Sequence, residues 1–198
     1  PVFAERGSLI GAFMLPGGGP LVWALESLRD EVMRLAESVD DATWVTRPSP
    51  ASWSIGECIE HLLLTNEAFL PAMHEQLQRP EARARSAPAR MRRGLIAWVL
   101  SRALEPPVHS RYPTTAPFVP SDAPPRNKTA RNFATSQEAL LATIRLGDGV
   151  DLTRIRLVSP FDARLEYSFY SALHIIAAHQ RRHLWQAQRA RERLATAR

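Results

Sequence analysis

The stretch "WSIGECIEHLLLTNEAFLPAMHEQL", residues 53–77, decides the fold. Ser54 followed three positions later by Glu57 is a capping box, and Trp53 just ahead of it is placed to staple onto the first helical turn. Leu62, Leu63 and Leu64 make the helix apolar nearly all round, so its middle, His61 included, faces a core. Pro71 is expected to kink it.

Working outward, residues 21–39 place Leu21, Leu25, Leu28, Val32, Leu35 and Val39 at three- and four-residue steps, an amphipathic helix with one apolar stripe. "TRPSPAS" (46–52) separates the two helices, and residues 90–104 form a further helical piece. From Glu105 to about Ala134 seven prolines interrupt the chain, with neither helical nor strand periodicity. "TSQEALLATIRLG" (135–147) restarts a helix, Thr135 and Glu138 reading as a second capping box and Gly147 or Gly149 as the stop. The last helix is expected from near Ser168 to about residue 194. Four main amphipathic helices, no convincing strand and no internal repeat predict an all-α, antiparallel four-helix bundle. Its domain spans 20–194, with a proline-rich loop, 104–134, between the second and third main helices. Residues 1–19 read as an N-terminal extension and 195–198 as a tail.

A chain of 198 residues can bury a real core, and its 45% hydrophobic and 23% charged residues suit a globular protein. All but Lys128 of the 25 basic residues are arginine, and the net charge is +5. The arginines are concentrated in 79–93 and in the last twenty residues, where a solvated helix face explains them and no nucleic-acid recognition motif accompanies them. No apolar run is long enough to span a membrane. Neither nucleic acid nor a membrane is therefore expected as a partner. The single cysteine, Cys58, excludes a disulfide framework and a thiolate zinc cluster. It points to a reducing, cytoplasmic setting. The opening "PVFAERGSLIGAFMLPGGGP" lacks the basic flank of a secretory signal.

Three of six histidines fall in "LHIIAAHQRRHLWQ", residues 173–186. Successive helical residues turn by about 100°, so His179 and His183 share a face, while His174 points about 140° away from His179. Two imidazoles at i and i+4 can chelate one divalent ion. That spacing alone also suits buried or surface histidines without a ligand. A third donor must come from another helix, and His61, set in "CIEHLLL", is the candidate. His74, beyond Pro71, and His109, in the proline-rich loop, are expected to face solvent.

"WSIGECIEHLLLTNE" (53–67) and "HIIAAHQRRHLWQ" (174–186) resemble the two signature helices of the DinB-like superfamily, which includes the YfiT-like metal-dependent hydrolases. The matching elements are Trp53, Ser54 and Glu57, then His61, then His179 with His183; "APFVPS" (116–121) is similar to the family's proline-containing strap. The resemblance runs over about residues 20–194, with the Arg/Pro-rich stretch 79–131 fitting least. It implies a four-helix bundle holding one divalent metal through His61, His179 and His183, with water completing the shell. Zinc or nickel would be the ion, or else iron or manganese. It further implies a homodimer, and an activity of either metal-dependent hydrolysis or transfer of a low-molecular-weight thiol to an electrophilic small molecule. A non-catalytic, metal-binding or purely structural bundle is the alternative.

No general base stands out. Glu57 could serve, but capping accounts for it fully; Glu60 and Glu67 are rotated away from His61. Thr65 can either touch a water at the site or bond back to its own helix. Arg181 and Arg182 could hold an anionic cofactor or form salt bridges, and Cys58 reads as a small core residue.

Overall fold

The computed structural model describes residues 18–108 and 113–196. Residues 1–17, which hold most of the N-terminal extension, His109 and the last two residues of the tail lie outside them. The described chain is mostly helical. In order it forms α1 (Gly18–Glu37), α2 (Asp41–Val45), α3 (Ile55–Gln78), α4 (Pro80–Arg83), α5 (Leu95–Leu104), α6 (Arg126–Leu146), a short hairpin of β1 (Arg156–Val158) and β2 (Glu166–Ser168), and α7 (Phe169–Thr196).

The four long helices pack in the ring order α1–α6–α3–α7, each touching two others. Leu25, Val32, Ile59, Leu62, Phe133, Leu140, Ile144 and Leu173 fill the space between them, all but inaccessible to water. At the centre lies a polar knot. Asn66 donates to Gln137 at 2.9 Å, Gln137 and Gln180 exchange hydrogen bonds at 2.8 Å, and Gln180 donates back to Asn66 at 2.9 Å. Gln137 also donates to the Leu25 carbonyl at 3.1 Å, so one network ties together all four helices. A satisfied buried network of this kind fixes the register in which apolar surfaces alone would slide.

The Ser54–Glu57 capping box forms in full, with Ser54 N–H donating to Glu57 at 2.8 Å and Glu57 N–H donating to Ser54 Oγ at 3.1 Å. Beyond it α3 runs unbroken through Pro71 to Gln78, as one helix. The second expected capping box does not form. Thr135 and Glu138 lie inside α6, which starts nine residues earlier than the sequence reading, at Arg126 after Pro125. Residues 126–134 are mostly polar, and only Thr129, Ala130 and Phe133 turn inward, too thin a stripe to read. The new helix start is fastened by Arg126, which donates to Asp41 at 2.6 Å and to the Ala36 carbonyl at 2.8 Å.

The expectation of no strands also needs correction. β1 and β2 pair antiparallel, with Leu157 opposite Tyr167 and both buried. Three residues per strand are too few to show alternation in a sequence. The ladder continues into the next helix through Phe169 N–H to the Ile155 carbonyl at 2.8 Å, which sets where α7 begins.

Within the proline-rich segment, residues 113–125 form a strap over the start of α3. It makes a 3-10 turn at Ala116–Phe118. Ser121 then binds Glu60, through its N–H at 2.6 Å and its hydroxyl at 2.7 Å, and the Pro124 carbonyl accepts the Trp44 indole N–H at 3.0 Å. Between these anchors Ala123 adopts φ 51°, a left-handed turn unusual for a residue with a Cβ.

Candidate metal centre

α3 delivers His61 and α7 delivers His179 and His183, and the direct packing of these two helices closes the site. All three imidazoles are buried, at 3%, 8% and 7% exposure. One ring nitrogen from each lies within 4.8 Å of the others, and the Nε2 atoms of His61 and His179 are 3.2 Å apart.

Three features decide what this cluster can do. His61 Nδ1 donates to the Phe118 carbonyl at 2.7 Å, which fixes the tautomer and leaves Nε2 as a lone-pair donor facing the other rings. Burial pushes the pKa of His61 below its ordinary value against the pull of that bond, and drives those of His179 and His183 well below it. The rings are therefore neutral near pH 7. Third, Nδ1 of His179 and Nδ1 of His183 are buried with no hydrogen-bond partner among the described residues.

The donor set fits a divalent ion. Metal–nitrogen bonds of 2.0–2.1 Å in a tetrahedral shell put two ligand nitrogens about 3.3 Å apart, close to the 3.2 Å between His61 and His179. The rings are held by aromatic neighbours. Trp53 lies 5.0 Å from His61 and 5.8 Å from His183, and Phe161 lies 5.4 Å from His179, centroid to centroid. Phe118 in turn stacks on Phe161 at 4.6 Å.

The cluster sits on the wall of a cavity of about 1030 Å³. Trp53, Leu104, Phe161 and Ile175 supply apolar lining; Tyr167, Arg182 and Gln186 add polar groups. Burial pushes the Tyr167 phenol up to about 12, so it stays a neutral O–H.

The other candidates resolve individually. His174 is half-buried on another face, against Tyr170 at 4.9 Å, and His74 is exposed beside Gln78. Glu57 is occupied twice, by its cap and by a bidentate pair with Arg47, whose Nε donates at 2.9 Å. Burial alone would raise the Glu57 pKa, but Arg47 and Ser54 outweigh it and hold the carboxyl below its usual range. Glu60 accepts from Ser121 of the strap, Glu67 is exposed, and Thr65 bonds back to the His61 carbonyl at 2.8 Å. Arg181 pairs with Glu105, its Nε donating at 2.9 Å, whereas Arg182 is buried in the cavity wall. Cys58 lines the cavity, but burial drives its thiol pKa far up and keeps it protonated.

Sequence reasoning missed Phe161 and Tyr167, which enter through the unforeseen hairpin, and the Phe118 carbonyl, which as a backbone group leaves no trace in residue type. Trp53 was legible as a staple and as part of the resembling motif, but not as a ring that packs on two of the histidines.

No curated protein matches this chain, and no solved structure does. A family model described as DinB superfamily matches residues 24–187. The match enters within α1 and leaves within α7, taking in all three histidines and most of the ring that brings them together, and on that ground the chain belongs to the DinB superfamily.

Proposed function

We propose that the chain is a metal-dependent enzyme built on an antiparallel four-helix bundle, with His61, His179 and His183 holding one divalent ion, zinc or nickel in first place. The supporting observation is the cluster's position: three neutral imidazoles line an open cavity instead of a closed core. A non-catalytic role in helix packing would call for a sealed site.

His61, His179 and His183 would hold the ion, which would supply Lewis acidity that brings the pKa of a water or thiol towards neutrality. The reaction class we assign is accordingly hydrolysis, or transfer of a low-molecular-weight thiol to an electrophile. The residues divide the remaining work. His61 is oriented by the Phe118 carbonyl, and Trp53 and Phe161 keep bulk water from the imidazoles. The Tyr167 hydroxyl is a neutral donor in the cavity lining, and Arg182 places a fixed positive charge in the wall for an anionic substrate group. A cytoplasmic homodimer is the setting that goes with this reading.

Elemental analysis tests it. The wild-type chain should carry one divalent ion, and the His61→Ala, His179→Ala, His183→Ala triple variant should carry none while keeping its helical circular dichroism. Equal metal content in the two would end the proposal. Thiols screened against electrophiles would then separate the reaction classes, with His179→Ala as the inactive control.

A further inference from the structure

α5 is built the wrong way round for a helix facing water. It turns its small residues Ala97 and Ser101 inward, towards α7, and leaves Leu95, Ile96, Trp98 and Val99 outside at 77%, 58%, 49% and 50% exposure. Scattered exposed aliphatics are ordinary; four on ten residues of one helix, with a tryptophan among them, form a patch that calls for a partner.

The charge around the patch selects that partner. Between Glu81 and Glu105 the chain carries Arg83, Arg85, Arg90, Arg92, Arg93 and Arg102, all exposed, and no acidic residue. A second copy meeting this face through two-fold symmetry would bring two such arginine sets together without a counter-charge. A nucleic acid would match the arginines but leave Leu95, Ile96 and Val99 unused. One partner satisfies both halves: an anionic lipid surface, whose headgroups take the arginines while the apolar side chains and Trp98 enter the acyl boundary.

We propose that α5 docks the protein on the surface of an anionic bilayer. No run of the sequence is long enough to span a membrane, and no described helix is long and apolar enough to cross one. A helix that lies in the interface needs no such length. The inner edge of α5, Leu100, Ala103 and Leu104, forms part of the cavity lining, so docking sets the cavity beside the lipid boundary. Docking through α5 does not depend on metal binding.

Co-sedimentation with vesicles tests it, using phosphatidylcholine alone and phosphatidylcholine with about one quarter phosphatidylserine. The full chain should bind the mixed vesicles, bind the neutral ones far less, and be released as salt rises. Leu95→Ser, Ile96→Ser and Trp98→Ser combined should abolish binding with metal content and circular dichroism unchanged. Arg90→Gln with Arg92→Gln should weaken it on the order of tenfold. Three results would overturn the proposal: no binding to mixed vesicles at low salt, equal binding by the serine variant, or a dimer in solution that the serine variant dissociates.

Discussion

Gly56 is the residue whose change reaches farthest. A Cβ there would collide with the Trp44 indole nitrogen, approach its Cδ1 at 2.8 Å and reach Pro124 Cγ at 3.0 Å. Trp44 has no exposure and its N–H holds the strap at Pro124, so neither neighbour can yield cheaply. Gly56→Ala should therefore cost about 1–3 kcal/mol of stability, seen as a thermal midpoint lower by several degrees. Because the same strap carries the Phe118 carbonyl, metal affinity should fall as well; a variant as stable as wild type would show that the strap adjusts freely. At this scale the site was largely legible. His179 and His183 announce themselves by helical spacing, and His61 by the cost of burying a polar ring among leucines. What stayed hidden was every partner made of backbone or supplied by the hairpin.

Among the elements, legibility followed stripe width and caps. α3 has a complete capping box and a broad apolar surface, and α1 has a clean stripe, so both were readable to within a few residues. α6 spends its central inward positions on Ser136 and Gln137 rather than on aliphatics, which blurred its pattern. Gln137 nevertheless holds the ring together. Gln180→Leu would strip partners from both Gln137 and Asn66, which are buried from solvent. The expected loss is about 2 kcal/mol or more in denaturant unfolding. A change below about 0.5 kcal/mol would mean the knot is dispensable.

For the molecule as a whole, pH is the sharpest probe. Burial, with Arg93 and Arg181 adding to it, lowers the His174 pKa to about 4 from an ordinary 6.5. The unfolded chain takes up a proton at His174 below pH 6.5 that the folded chain refuses until about pH 4. The His174 contribution to stability must fall as pH drops through that window and level off beneath it. The three clustered histidines are shifted in the same direction. In metal-free protein, His174→Asn should reduce the slope of unfolding free energy against pH between 6.5 and about 4. An unchanged slope would remove His174 from the account.

The ring α1–α6–α3–α7 closes on itself, and residues 79–108 hang from it between the end of α3 and the strap, with α5 resting chiefly on α7. In polymer terms that segment is an insertion between pinned ends, fastened again midway, where Ala87 donates to the Gly149 carbonyl at 2.8 Å and Asp151 donates to that of Arg85 at 3.0 Å. Doubling the length of such a loop costs only about 0.6 kcal/mol in closure entropy. The connections on either side of α5 can thus vary in length at little expense to the scaffold, and with them the placing of Leu100, Ala103 and Leu104 in the cavity wall. The three imidazoles, held by two helices of the ring, would not feel the exchange. On the proposed reading, chemistry would rest with the ring and ligand choice partly with this insertion, and the second could vary while the first stands still.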